Sequence, residues 1–328
     1  MGGAEKPLRI LVTGGAGFLG SNLIDFLLEK GHHIIGVDSF ETGSPKNLVH
    51  LEHHPRFTFI RHNIQSPLHD LGQIDQIYNL ACPASPIQYQ KDHVSTLRTC
   101  FLGTDNLLSL AKSRNIRILH TSTSEVYGDP HVHPQPETYW GNVNPFGPRS
   151  CYDEGKRSAE ALCYAYREQG VNVKIARIFN TYGPRMSNSD GRVVSNFIAS
   201  ALAGADLEIT GDGSATRSFQ FVSDCIQGLY VLMNSDYSGG PMNIGNDGEF
   251  TIQQLAEIVI ELVSEMAGPS KAAIVYRPPV VDDPTVRRPR IELAKQVLHW
   301  EPRVQLRDGL RKTIEWHMNE RTSASTRT

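Results

Sequence analysis

A short apolar run, Leu8-Arg-Ile-Leu-Val-Thr13, ends in the glycine-rich turn Gly14-Gly-Ala-Gly17-Phe-Leu-Gly20, and helical apolar spacing follows from Asn22 to Glu29. Gly15-x-Gly17-x-x-Gly20 therefore sits after a strand and opens a helix, the context in which this spacing is informative. Glycines there permit the tight turn and let the backbone approach a pyrophosphate, which meets the free N–H groups and dipole of the helix N-terminus. The next strand, His33-Ile-Ile-Gly-Val37, ends at Asp38. A carboxylate at that point accepts hydrogen bonds from a ribose diol and repels a 2′-phosphate, so the turn predicts NAD in preference to NADP.

Further strand-like runs, Phe57-Ile60, Gln76-Leu80, Ile116-Thr121 and Val173-Phe179, alternate with helical stretches such as Thr96-Lys112 and Cys151-Glu168. Short buried strands separated by helices imply an α/β fold, a Rossmann-like, doubly wound parallel sheet. After about Asn180 the pattern loosens, with helices expected near Val194-Ala203, Thr251-Met266 and Arg307-His317. We expect residues 1–180 to be mainly a dinucleotide-binding domain. Residues 181–320 should form a smaller C-terminal substrate-binding lobe interdigitated with it, and 321–328 a polar tail.

A formal net charge of −3 disfavours a general nucleic-acid or membrane-surface binder. No apolar run approaches the roughly 20 residues that span a bilayer, and Met1 to Lys6 leads into a strand with no signal-peptide core. The expectation is a cytoplasmic protein. Its five cysteines show no Cys-x-x-Cys spacing and read as free, mostly buried thiols, Cys151 included, since no adjacent histidine supplies it with a base. Its thirteen histidines include pairs but no convincing third ligand, so no metal is expected.

Tyr152 and Lys156 stand four residues apart, a spacing that puts phenol and ammonium on one helix face. A free tyrosine titrates near about 10, so a phenol that removes a hydroxyl proton near neutral pH needs a fixed positive neighbour. Lys156 is that neighbour in this reading. Many chains carry Tyr-x-x-x-Lys on an ordinary solvated helix. Here it is accompanied by the glycine-rich turn and by Thr123-Ser124-Glu125 between the two.

These residues carry a family resemblance. Gly14 to Gly20, Leu80-Ala-Cys-Pro-Ala-Ser-Pro86, Thr121-Ser-Thr-Ser-Glu-Val-Tyr-Gly-Asp-Pro130, His133-Pro-Gln-Pro-Glu137, Tyr152-Asp-Glu-Gly-Lys-Arg157 and Arg177-Ile-Phe-Asn-Thr-Tyr-Gly-Pro-Arg185 resemble the extended short-chain dehydrogenase/reductases. With Asp190 to Phe197, Thr216 to Asp224 and Trp300-Glu-Pro302, the resemblance narrows to the UDP-glucuronate decarboxylases, or UDP-xylose synthases, from about Arg9 to Trp316.

The resemblance implies oxidation at C4 of UDP-glucuronate, loss of carbon dioxide from the 4-keto acid, protonation at C5 and re-reduction by tightly held NAD. It implies catalytic roles for Tyr152, Lys156, Thr123, Ser124, Glu125 and Arg217. Cofactor contacts fall to Gly14, Gly17, Phe18, Leu19, Gly20, Asp38, Asn63, Ile64, Leu80 and Thr99 besides Tyr152 and Lys156. Substrate contacts fall to Asn180, Arg185, Arg192, Val194, Asn196, Arg217 and Arg287. In that assignment Arg192 and Arg287 meet the diphosphate, whose oxygens suit planar guanidinium forks, and Arg217 lies near the sugar carboxylate. A homodimer is implied as well.

Ser124 separates the chain from the 4,6-dehydratases acting on dTDP-glucose, which resemble this scaffold but carry aspartate there to help expel water; GDP-mannose dehydratases can share Thr-Ser-Glu, and from these the longer Tyr152-Asp-Glu-Gly-Lys-Arg157 and His133-Pro-Gln-Pro-Glu137 blocks distinguish it. Departures from the family pattern are Asn63 for an aspartate, Arg98 for a lysine, Cys100 for an asparagine and Arg290 for an aspartate. The alternatives to the decarboxylase are a nucleotide-sugar 4-epimerase, which shares the Tyr-Lys oxidation, and an NAD-sensing protein without catalysis.

Overall fold

A computed structural model describes residues 6–187, 190–279 and 284–325; Met1 to Glu5, at the leader position, lie outside them. The first half builds six strands: β1 Arg9–Thr13, β2 His33–Asp38, β3 Phe57–Arg61, β4 Gln76–Asn79, β5 Arg117–Thr123 and β6 Val173–Ile178. The strand Met242–Ile244 completes a seven-stranded sheet in the order Met242–Ile244, β6, β5, β4, β1, β2, β3. Every pairing in it is parallel, with Leu11 opposite Ile35 and Ile77 in the neighbouring strands. Central strands are buried on both faces, which is why β1 reads as a continuous apolar run and not as an alternation.

Strand order reverses at β1, whose neighbours are β2 on one side and β4 on the other. Crevices at the carboxyl ends of strands form at such a reversal. Helix α1, Phe18–Glu29, buries Leu23, Ile24, Leu27 and Leu28 along one face, and each such side chain stabilises by about 1.5–3 kcal/mol. Leu27→Ala would cost about 2–5 kcal/mol, because the surroundings relax only partly around the cavity.

The second half folds into small sheets and helices. Thr216–Ser218 pairs with Glu249–Thr251 and Val286–Arg287, and Leu207–Thr210 pairs with Ile274–Arg277. One apolar core runs from Ile10, Val12 and Leu23 through Val194 and Phe197 to Leu255 and Leu310. Core and sheet therefore both cross residue 180.

Two elements differ from the sequence reading. The helix expected over Thr96-Lys112 is His93–Arg98 and Thr104–Arg114 joined by a wide π turn at Thr99–Gly103. Gly103 lies so close to Ile64 that an added Cβ would stand 2.5 Å from Ile64 Cδ1. The last helix, Leu306–Ser325, continues past the expected tail boundary, and Arg321 Nη1 donates to the Leu202 carbonyl at 2.7 Å. Residues 326–328 lie outside the description. Among the described residues no helix is long and apolar enough to cross a membrane.

Candidate active site

The turn after β1 has the shape that its glycines require. Gly14 adopts φ +69°, and a Cβ there would stand 2.7 Å from the Leu80 backbone; at Gly20 it would stand 1.9 Å from the Gly14 carbonyl oxygen. Gly17 precedes α1 with no side chain capping the helix, which leaves the first-turn N–H groups for an anion. Phe18 and Leu19, half-buried, form that first turn.

A cleft opens beside it, lined by Gly14, Gly17, Asp38, Asn63, Ile64, Leu80, Cys82 and Thr99. Asp38 closes β2 and accepts the Ala16 N–H at 3.0 Å and the Phe40 N–H at 2.8 Å. Burial pushes its carboxyl above the usual range, while N–H bonds from Phe40, Ala16 and Ser39 pull it down. Each oxygen keeps acceptor capacity toward a ribose diol. Asn63 is exposed and takes the Gln65 N–H at 2.9 Å, and the Thr99 hydroxyl donates to the Ser95 carbonyl. The uncapped helix, the tight glycine cradle and the terminal carboxylate fit a dinucleotide. The sequence shows no arginine next to Asp38, yet in the sheet Arg61 is its register partner, with its guanidinium 5.8 Å from the Phe40 ring centre.

The chemistry-bearing residues gather where β5 ends. Thr123 closes the strand, and its hydroxyl accepts the Glu125 N–H at 3.2 Å. The helix Ser150–Glu168 lies against β5 and puts Tyr152 and Lys156, each 5% exposed, on its buried face. Lys156 Nζ donates to the Thr121 carbonyl at 2.8 Å and stands 5.9 Å from the Tyr152 ring centre. Burial, followed by the Cys82 thiol, pushes the Tyr152 phenol well above its ordinary value, and a hydrogen bond with Thr123 pulls it down. The expected lowering is thus reversed in the protein alone. A phenolate buried with its ammonium neighbour bonded elsewhere is poorly solvated.

Ser124 and Glu125 are joined by one guanidinium: Arg287 Nη1 donates to Ser124 Oγ at 2.9 Å and to Glu125 Oε1 at 3.0 Å. Arg287 Nη2 donates to the Gly128 carbonyl at 2.7 Å, and its buried Nε has no partner among the described residues. Arg149 Nη2 reaches Glu125 Oε2 at 2.6 Å. Burial alone would raise Glu125, but Arg287, Arg149 and Arg217 outweigh it and hold the carboxyl down at about 2. It is an anion and not an acid at neutral pH.

Of the other second-lobe residues, Arg217 adjoins this cluster as the register partner of Arg287, and the rest are dispersed. Arg217, largely buried, donates to the Thr216 carbonyl at 2.9 Å. Arg192 precedes the helix Val193–Ala203, which no side chain caps, and pairs with Asp190. Val194 packs in the core, and the Asn196 N–H bonds back to the Arg192 carbonyl at 3.0 Å, so the open amides of that helix start precede Asn196. The Asn180 carbonyl accepts the Gln220 N–H at 2.9 Å. Arg185 is turned toward α1, donating to Asp25 at 2.5 Å.

Sequence reasoning left out Arg149, Asp153, Tyr89 and Cys82. The Tyr89 ring stacks on Tyr152, with centres 4.9 Å apart and planes 1° from parallel. Asp153 is buried beside Glu125, and burial together with that charge pushes it up to about 8. Their signal was faint: Asp153 is embedded in the Tyr-Lys block, whereas Tyr89 ends the short helix Pro86–Tyr89 and Arg149 precedes the helix Ser150–Glu168. Among the described residues no group of three or more His, Cys, Asp or Glu side chains is arranged to hold a metal.

Residues 11–313 match a family model described as GDP-mannose 4,6 dehydratase. The chain is 55% identical to UDP-glucuronic acid decarboxylase 1 of Arabidopsis thaliana, over 96% of this chain and 71% of that protein. Among solved structures it resembles UDP-glucose 4-epimerase of Thermotoga maritima, with TM-score 0.87 and 28% identity over 95% of this chain and 99% of that one. It also resembles UDP-glucuronic acid 4-epimerase of Bacillus cereus, solved with UDP-glucuronic acid and NAD, with TM-score 0.83 and 30% identity over 95% and 100% of the two chains. Identity to the decarboxylase is nearly twice that to either epimerase. The chain belongs to the UDP-glucuronic acid decarboxylases, within the extended short-chain dehydrogenase/reductases.

Proposed function

We propose that this protein decarboxylates UDP-glucuronate to UDP-xylose with tightly bound NAD. The observation that carries this reading is the Thr123-Ser124-Glu125 end of β5. There the middle residue is a serine hydroxyl tied to Arg287, and the carboxylate is held ionised between guanidinium groups. The dehydratases acting on dTDP-glucose carry an aspartate at the middle position to help expel water. Here there is none.

NAD would be held by the Gly14–Gly20 turn, Asp38, Asn63, Ile64, Leu80, Thr99, Tyr152 and Lys156, and the chemistry it supplies when bound is two-electron exchange with C4, outward first and back last. Tyr152 removes the 4-hydroxyl proton, and Lys156 supplies the fixed charge that supports its phenolate. The resulting 4-ketone lies β to the C5 carboxylate. When the bond from C5 to the carboxylate breaks, its electron pair passes into the C4 enolate oxygen. Tyr152 and the hydroxyls of Thr123 and Ser124 donate to that oxygen, aimed at charge that develops only in the transition state. Glu125 and Arg217 orient a water that protonates C5. An arginine is too weak an acid to do so itself. Tyr152 finally returns its proton to O4.

Substrate contacts are assigned to Asn180, Arg185, Arg192, Val194, Asn196, Arg217 and Arg287. The unpartnered Nε of Arg287 and the uncapped helix after Arg192 support a diphosphate nearby. The division into residues 1–180 and 181–320 stands as a functional one, cofactor side and sugar side. A homodimer is supported by Val94, Leu97 and Phe101, exposed at helical spacing, and by exposed Tyr164. A cytoplasmic location is supported by five free cysteines.

The test is incubation with UDP-glucuronate followed by product mass and sugar NMR. UDP-xylose and carbon dioxide are expected. A dominant UDP-galacturonate that keeps its carboxylate would replace this reading with the 4-epimerase.

A further inference from the structure

Two thiols meet at the wall of the cofactor cleft. Cys82, in the loop after β4, lines the cleft, and Cys100 lies in the π turn Thr99–Gly103, 2% exposed. Their Sγ atoms are 3.2 Å apart, and Cys82 Sγ also donates to the Pro83 carbonyl at 3.3 Å. With Cys82 donating to Pro83, the shared proton between the sulfurs belongs to Cys100. All five cysteines are free.

We propose that Cys82 and Cys100 form a redox modification site: a peroxide oxidises them to a disulfide that reshapes the cleft wall beside Tyr152 and Lys156 and reversibly stops turnover. Position separates their roles, since an oxidant entering the cleft meets Cys82, whereas Cys100 lies behind it. Electrostatics point the same way. The hydrogen bond from Cys100 lowers the Cys82 thiol, burial opposes it and the Lys156 charge assists; Cys100 is pushed well up by that same bond and by burial. The more acidic, accessible thiol is the one that attacks.

The Cys82 thiolate forms an S–O bond as the peroxide O–O bond breaks, and the departing hydroxide takes a proton to become water. Cys100 sulfur then attacks the sulfenic acid: an S–S bond forms, the S–O bond breaks, and the second hydroxide leaves as water with the Cys100 proton. Two thiols and one peroxide give one disulfide and two waters, a two-electron balance. Disulfide formation draws the sulfurs from 3.2 Å to about 2.05 Å. Cys82 packs against the buried cluster of Tyr89, Cys151 and Tyr152, so this contraction is felt at the base.

The experiment treats the purified protein with hydrogen peroxide, blocks remaining thiols with N-ethylmaleimide and maps tryptic peptides without reduction. Cys82 falls in peptide 62–91 and Cys100 in peptide 99–112. The expected result is a cross-link between these two that dithiothreitol removes. Turnover should fall by about 100-fold with it, as a shift of about 1 Å near the chemistry can cost, and return on reduction. Cys100→Ser should keep unoxidised turnover within about threefold but lose recovery by dithiothreitol after excess peroxide, because the unresolved Cys82 sulfenic acid reacts with a second peroxide to the sulfinic acid, which dithiothreitol does not reduce. Recovery of both cysteines as maleimide adducts, or of Cys82 as a sulfinic acid without the cross-link, would overturn the proposal. The mapping is read on the unsubstituted protein, so poor folding of the variant leaves it decisive.

Discussion

Lys156 and Tyr152 share the buried face of one helix, yet the Lys156 ammonium donates to the Thr121 carbonyl and stands 5.9 Å from the Tyr152 ring centre. The lysine thus acts on the phenol through space and not through a direct bond. Tyr152→Phe should keep the fold and NAD content while losing at least about 100-fold in kcat, since general-base help is commonly worth that much. Lys156→Ala should move the acidic limb of the pH–rate profile to higher pH, because the phenolate loses its supporting charge. Near-normal turnover of the first variant, or an unmoved profile in the second, would remove the Tyr-Lys pair from the mechanism.

Asp38 predicts tighter binding of NAD than of NADP even with Arg61 as its register partner, because the carboxylate occupies the strand end itself. Calorimetry on cofactor-depleted protein should show the preference in the parent and in Arg61→Ala, and its narrowing in Asp38→Ala. Equal affinities in the parent protein would contradict the role given to Asp38.

Arg287 is 1% exposed and bonded to Ser124, Glu125 and Gly128. Arg287→Ala should weaken both UDP-glucuronate and free UDP, the latter by about tenfold for one lost charged hydrogen bond. If free UDP binds unchanged while kcat falls, Arg287 serves only to orient Ser124 and Glu125.

The buried charges make stability depend on pH in two windows of opposite sign. Glu125, depressed from 4.5 to about 2, stabilises above its ordinary value and loses that contribution as pH falls through about 2. Asp153, raised from 3.8 to about 8, contributes fully below its ordinary value and loses it as pH rises through about 8. Melting temperature should therefore fall from about pH 4 to about pH 8, and fall less in Asp153→Asn. The same drop in both proteins would show that Asp153 is ionised throughout.

Local chemistry explains what was legible. The β1 turn, Asp38 and the Tyr-Lys pair were readable because each is a contiguous segment whose residues must occur at fixed spacing. The strand Met242–Ile244 was missed since three residues carry too little periodicity, and its place is set by β6. Arg149, Tyr89 and the Cys82–Cys100 contact were missed for a different reason. They come together only after loops and a π turn have folded, and sequence spacing does not encode that approach.

The most direct measurement runs the reaction with UDP-glucuronate in deuterated water and reads the product by NMR. The account predicts UDP-xylose with one solvent-derived deuteron at C5 and protium retained at C4, since C5 takes a solvent proton whereas the original C4 hydrogen returns. UDP-xylose carrying deuterium at C4, or a dominant product that keeps its carboxylate, would contradict it.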